Sequence, residues 1–242
     1  MIKTNRAKQV GAIPKEKVKV EFWTKEEFQK VLSTFNLDDY YEHYSFIIIW
    51  LYFMTGLRVN EATALRWKQD IDLENRTLTV CNSLRLKNSD NWTLGPTKTK
   101  AGMRTIALDT DTIEILKVWK DRQEGFGKID FVFSYDGRPT WKSTISRIIR
   151  RHAKLAAVKP IQAKGLRHSH ASFLINANPL IIKDRLGHED IKTTLSSYSH
   201  LYPNVNFEIA NSMTGSINYT TSHEKKAKFQ GNQSFKYKKD EI

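Results

Sequence analysis

A chain of 242 residues has room for one sizeable domain with appendages, and its 40% hydrophobic and 11% aromatic content supplies a real core, which excludes a wholly disordered protein. Thirty-nine Lys and Arg against 26 Asp and Glu leave a formal charge of +13, so the favoured partner is a polyanion, nucleic acid ahead of a membrane surface.

Residues 1–20 are Lys-rich and carry no helical or strand period; they read as a linker or the remnant of an interdomain arm. Thr24 followed three residues later by Glu27 is a capping-box pattern. It predicts a helix over about 24–35, with Phe28, Val31 and Leu32 on one face. Tyr40 to Thr55 is apolar on nearly all sides and predicts the central buried helix, ended by Gly56 in a left-handed cap. Asn60 is the expected N-cap of a short helix through Leu65, which leaves Arg58 in the tight connection between two helices. Residues 71–73, 77–80 and 104–108 alternate as strands do and predict one small antiparallel sheet. Helices return at 110–122 and 141–157, with an apolar strand or loop at 131–134 between them. Asn178-Pro179 and Leu186-Gly187 bracket another helix. Beyond Pro203 the chain turns polar, with a short helix expected near 204–212 and a mobile tail from about 214.

The longest apolar run, Phe46–Met54, falls well short of the roughly 20 residues that cross a bilayer, and no signal core opens the chain, so the expected location is cytoplasmic. Cys81 is a single cysteine and cannot close an intrachain disulfide, and no Cys/His cluster has zinc spacing. Neither a cofactor nor a metal is expected.

Four separated segments put polar residues at predicted helix ends or loops: Thr55-Gly56-Leu57-Arg58-Val59-Asn60-Glu61, Thr97-Lys98-Thr99-Lys100, Lys164-Gly165-Leu166-Arg167-His168, and Leu186-Gly187-His188 with Tyr198 ten residues on. Singly each is weak. An arginine after a helix cap is more often solvated or bonded to a carbonyl, and a tyrosine near a helix end more often edges a core. Together, and in this order, they resemble the tyrosine recombinases, the phage and conjugative-transposon integrases and their chromosome-resolving relatives. Thr-Gly-Leu-Arg-Val-Asn-Glu is similar to the first arginine box, Leu-Arg-His-Ser-His-Ala to the second, and Leu186-Gly187-His188 through Tyr198-Ser199-His200 to the box that ends at the nucleophile. The likeness covers residues 21–202 and implies a mainly α fold with a small antiparallel β-sheet, the tyrosine recombinase catalytic domain. Many members carry histidine three residues before the second arginine. Here that position is Lys164, so no imidazole stands at that place.

A phosphodiester gathers negative charge as a nucleophile adds to phosphorus, and fixed cations must meet it. Two guanidinium groups, each a planar fork that stays charged, suit that task, so Arg58 and Arg167 are the expected clamp. Arg167 is placed near the start of a helix, where free backbone N–H groups would add to the anion site. The resemblance makes Tyr198 the nucleophile and Lys98 the donor to the leaving 5′ oxygen, with Lys100 its competitor. The two arginines, Lys164 and His188 are expected to help ionise the phenol, and Glu61 to orient Arg58 as a supporting residue. His168, His170, His200 and Tyr202 are assigned no chemistry.

The implied function is a site-specific DNA recombinase, or integrase, acting through a 3′-phosphotyrosyl intermediate for integration or excision of a phage or mobile element. The implied partners are double-stranded DNA and sibling protomers in a DNA-assembled tetramer. The resemblance also admits accessory DNA-bending or directionality proteins, and residues 203–242 are expected to hold the segment exchanged between protomers. Family members carry a further N-terminal core-binding domain for which residues 1–20 have no room, so the sequence reads as a catalytic fragment from which full recombination is not expected alone. Two other classes fit the same charge: type IB topoisomerase-like relaxation, and a catalytically inactive basic DNA-binding module.

Overall fold

The computed structural model describes residues 20–88, 91–175, 177–198 and 213–214, the side chains of 195–198 excepted. The expected arm before Val20, the short helix near 204–212 and the tail beyond Thr214 lie outside the described residues. The chain separates into two units, Met1–Leu201 and Tyr202–Ile242, and every element named below belongs to the first.

Helix α1 (Lys25–Leu32) begins as its capping box predicts. Thr24 Oγ1 accepts the Glu27 amide at 3.2 Å, and Glu27 Oε2 accepts the Thr24 amide at 2.9 Å. Helix α2 (Tyr40–Thr55) follows, with Ile47, Ile48, Ile49, Leu51 and Tyr52 shut off from solvent. A helix buried on all sides needs neighbours all round. They are α5 (Thr110–Glu124), α6 (Lys142–Leu155) and α7 (Ala163–Phe173), while Phe28 of α1 stacks on Phe53 at 3.6 Å. Gly56 ends α2 at φ +63, the left-handed cap read from the sequence.

The next helix departs from expectation. Its first residue is Val59, not one after Asn60, so α3 is Val59–Ala62 with Arg58 as N-cap. The reason is Glu61, whose carboxylate takes the Arg58 amide at 3.0 Å and closes the turn two residues early. After α4 (Trp67–Asp70), strands β1 (Ile71–Asp72), β2 (Thr77–Val80) and β5 (Arg104–Ala107) make the predicted antiparallel sheet, ordered β1-β2-β5 with Leu78 opposite Ile106. A separate hairpin of β3 (Asn82–Asn88) and β4 (Asn91–Pro96) was not foreseen. Residues 131–134 are an irregular strip bridged to Arg66 at Phe131, with the Val132 amide on Leu65 O at 2.9 Å. The last two described helices are α8 (Pro179–Leu186) and α9 (Ile191–Tyr198). The fold is mainly α with small antiparallel sheets. Among the described residues no helix is long and apolar enough to cross a membrane.

Candidate active site

Helix α8 is defined at both ends by its own sequence. Asn178 Oδ1 accepts the Leu180 amide at 2.9 Å and Pro179 takes the first helical position. Gly187 then turns left-handed at φ +64, and the amides of Gly187 and His188 fold back onto Asp184 O and Lys183 O, each at 3.0 Å. Three carbonyls beyond those are left for other partners, and each receives a different arginine. Arg185 O accepts Arg104 Nε at 2.7 Å, Leu186 O accepts Arg167 Nη2 at 2.7 Å, and Gly187 O accepts Arg58 Nη2 at 2.9 Å. The negative end of the helix dipole favours this gathering of cations.

The C-terminus of α2 is crossed in the same way. Gly56 O accepts Arg167 Nη1 at 2.7 Å, Met54 O accepts Arg185 Nη2 at 3.0 Å, and Phe53 O accepts His170 Nδ1 at 2.7 Å. Because that carbonyl can only accept, the His170 proton sits on Nδ1, and Nε2 is free to accept Arg185 Nε–H at 3.1 Å. Burial and then the Arg185 charge push the His170 imidazole down to about 3, so it is a neutral spacer between the two helix ends. A Cβ on Gly56 would stand 2.5 Å from His170 Cδ2, so glycine is required there by space as well as by φ.

Glu61 ties two of the arginines together. Its Oε1 accepts Arg58 Nη1 at 2.7 Å, and Oε2 accepts the Arg58 amide and Arg104 Nη2, both at 3.0 Å. Burial works against its ionisation, but Arg104 and the hydrogen bonds from Arg58 outweigh it and hold the carboxyl below its ordinary value. Burial, followed by the charges of Arg167, Arg58 and Arg104, drops His188 to about 4. That ring is neutral near pH 7, with Nδ1 2.8 Å from Thr194 Oγ1. Thr194 lies fully buried in α9, and Tyr198 ends that helix one turn later.

Arg58, Glu61, Arg167 and His188 thus converge around the end of α8, beside the helix that ends in Tyr198. Arg167 is the fifth residue of α7, near the helix start as expected but in its second turn, past the free first-turn amides; Lys164 occupies the first turn. Lys98 and Lys100 are exposed in the connection between β4 and β5, and Lys164 is exposed on α7. None of the three ammonium groups joins the arginine network among the described contacts. His200 and Tyr202 lie outside the described residues.

Sequence reasoning passed over Arg104, Arg185 and the packing role of His170. A signal existed for Arg104, because strand alternation puts it on the same face as buried Ile106. An arginine on the inward face of a strand needs a buried acceptor.

The chain is 32% identical over 223 residues to the ICEBs1 integrase of Bacillus subtilis (strain 168), covering 88% of this chain and 59% of that one. To the integrase of Staphylococcus phage L54a it is 29% identical over 169 residues, 64% of this chain and 48% of the other. The chain therefore spans about half to three fifths of the length of these relatives. Among solved structures, the Tn1549 transposon integrase in complex with circular intermediate DNA aligns with a TM-score of 0.65 at 25% identity, over 81% of this chain and 68% of that one. The XerA recombinase aligns at 0.61 and 21% identity, over 86% and 68% of the two chains, a likeness of fold. The family model described as the phage integrase family matches residues 21–204, most of the chain. The protein belongs to the phage integrase family.

Proposed function

We propose that the chain is the strand-cutting core of a site-specific DNA recombinase of a mobile element, working through a 3′-phosphotyrosyl intermediate on Tyr198. The observation that carries this reading is the end of α8, where three successive carbonyls hold Arg104, Arg167 and Arg58 next to a neutral His188. Arg58 keeps a side chain 32% exposed, and its two side-chain bonds to Glu61 and Gly187 leave N–H groups for a phosphate oxygen. Arg167, pinned between the ends of α2 and α8, is the second jaw.

The phenol oxygen of Tyr198 attacks phosphorus and gives up its proton as the P–O5′ bond breaks, and Lys98 supplies a proton to the departing 5′ oxygen. Rejoining reverses these steps, so one phosphodiester is exchanged for another and no nucleotide triphosphate is consumed. His188, held neutral, takes part as a hydrogen-bonding or proton-accepting group and not as a cation. Lys164 lies on the first turn of α7, close in sequence to Arg167, and adds positive field.

The net charge of +13 and the DNA bound by the Tn1549 integrase support double-stranded DNA as substrate. Residues 21–202 form the catalytic domain in this reading. The stretch 203–242 exchanges between sibling protomers that DNA assembles into a tetramer in the cytoplasm, with accessory bending or directionality proteins joining it.

The test is a set of nicked duplexes run on a denaturing gel with wild-type and Tyr198→Phe protein. A shifted protein–DNA band in the first and none in the second supports the reading. Salt-sensitive binding without any band indicates an inactive DNA-binding module, and plasmid relaxation without recombinant products indicates a topoisomerase.

A further inference from the structure

Of the three arginines on the end of α8, Arg104 differs in its surroundings. Its side chain is 7% exposed, and its bonds run in three directions. Nε donates to Arg185 O at 2.7 Å, Nη1 to Gly102 O at 2.8 Å, and Nη2 to Glu61 Oε2 at 3.0 Å. Those acceptors belong to the last turn of α8, to the connection that carries Lys98 and Lys100, and to the carboxylate that grips Arg58.

We propose that Arg104 is a positioning residue, which fixes the lysine-bearing connection in register with Arg58 so that proton donor and phosphate grip are set as one unit. The inference rests on the recombinase reading above and on Lys98 as donor to the leaving oxygen.

The connection is tight enough to transmit such a constraint. Thr97 Oγ1 donates to Thr99 O at 2.8 Å, the Gly102 amide returns to Thr99 O at 3.0 Å, and the Met103 amide to Lys100 O at 3.0 Å. A Cβ on Gly102 would lie 2.8 Å from Thr97 Cβ, so the two ends of the turn are in contact around Lys98. The turn also rests on α8: a Cβ on Gly187 would meet Ala101 O at 2.7 Å and Arg104 Nη1 at 2.9 Å. Holding Gly102 O therefore holds the whole turn. A planar guanidinium can hold three acceptors in fixed directions at once, and an ammonium on a flexible stem cannot fix them in the same plane. Packing alone does not call for an arginine here, because an apolar side chain on the face of Ile106 would fill the space without burying a charge.

The test separates positioning of the proton donor from mere stability. A pool of nicked duplexes with a randomised core is offered to wild-type protein, and a trapped sequence becomes the defined substrate. Single-turnover adduct formation is then timed with either oxygen or sulfur as the bridging 5′ atom, since a thiolate leaves without a proton. Arg104→Met is expected to slow the oxygen substrate by about 10²-fold or more, and sulfur to restore the rate to within about tenfold of wild type. Lys98→Ala should show the same pattern, whereas Arg58→Ala should stay slow on both. Arg104→Lys, which keeps the charge, should lose less on oxygen and recover on sulfur. Equal losses on both linkages, or no loss, would overturn the inference, as would unfolding of both Arg104 variants in a denaturant titration, since the side chain would then serve the fold alone. If wild-type protein traps no duplex, the recombinase reading falls and this inference with it. Trapping by wild type and Arg104 variants alike removes only the inference.

Discussion

Glu61 and Arg104 form an ion pair at 3.0 Å with side-chain exposures of 3% and 7%, so each is the other's main protection against a low-dielectric interior. Removing one partner from a buried pair typically costs about 3–5 kcal/mol, because the remaining charge is stranded. Glu61→Ala should lose that much in a urea titration, and Glu61→Gln, which keeps an acceptor in place, should lose less. A variant within about 0.5 kcal/mol of wild type would mean the pair is not closed in solution.

The pair also sets an acid limit. Glu61 lies below its ordinary 4.5 when folded, so its contribution is complete above that value and is lost as pH falls through the lower folded value. Unfolding midpoints of wild type should drop more steeply below pH 4.5 than those of Glu61→Gln. Parallel curves would contradict this.

Burial lowers four histidines, His43 among them, and three are shifted far. Burial, reinforced by nearby arginines, holds His152 at about 4, His170 at about 3 and His188 at about 4, all below the ordinary 6.5. Each unfolded imidazole takes up its proton first, so stability is full above pH 6.5 and declines as pH falls toward the folded values. Imidazole carbon shifts recorded at pH 5 should report these rings neutral in the native protein. A His188 that titrates near 6.5 would remove its role as an uncharged group.

Gly187 is required twice, by a φ of +64 and by the closeness of Ala101 O and Arg104. Gly187→Ala should cost at least the roughly 1–2 kcal/mol of a left-handed side chain and should slow strand cleavage by displacing Gly187 O from Arg58. Denaturation and single-turnover cleavage on the same preparation check both halves.

Arg58→Ala and Arg167→Ala should each lower cleavage by about 10²–10³-fold. Arg167→Ala should also be less stable, since it strips donors from both Gly56 O and Leu186 O. Cleavage rates within a few-fold of wild type would take the arginines out of the chemistry.

What the sequence disclosed was local. Thr24 with Glu27, Gly56 after an all-apolar run, and Asn178-Pro179 with Gly187 each carry their stop or start signal within a few residues, and those helices appear where expected. The β3–β4 hairpin escaped because Leu84 is its one buried side chain, so it shows little apolar alternation. Asn60 looked like the cap because asparagine favours that position, but Glu61 reaching back to the Arg58 amide decided the start of α3. The arginine boxes were legible as motifs, whereas their meeting place was not. The bonds from Arg58 and Arg104 to the end of α8 span distances in sequence that no local pattern records. The bland reading of Arg58 and Arg167 as carbonyl caps describes real bonds, and the same bonds aim both side chains at one place.

The most direct measurement is the chemical identity of the protein–DNA link. Adduct trapped on a nicked duplex is digested with nuclease and protease, and the modified peptide is sequenced by mass spectrometry. The account predicts a nucleotide remnant on the phenol oxygen of Tyr198. A remnant on any other residue, Tyr202 included, would contradict it.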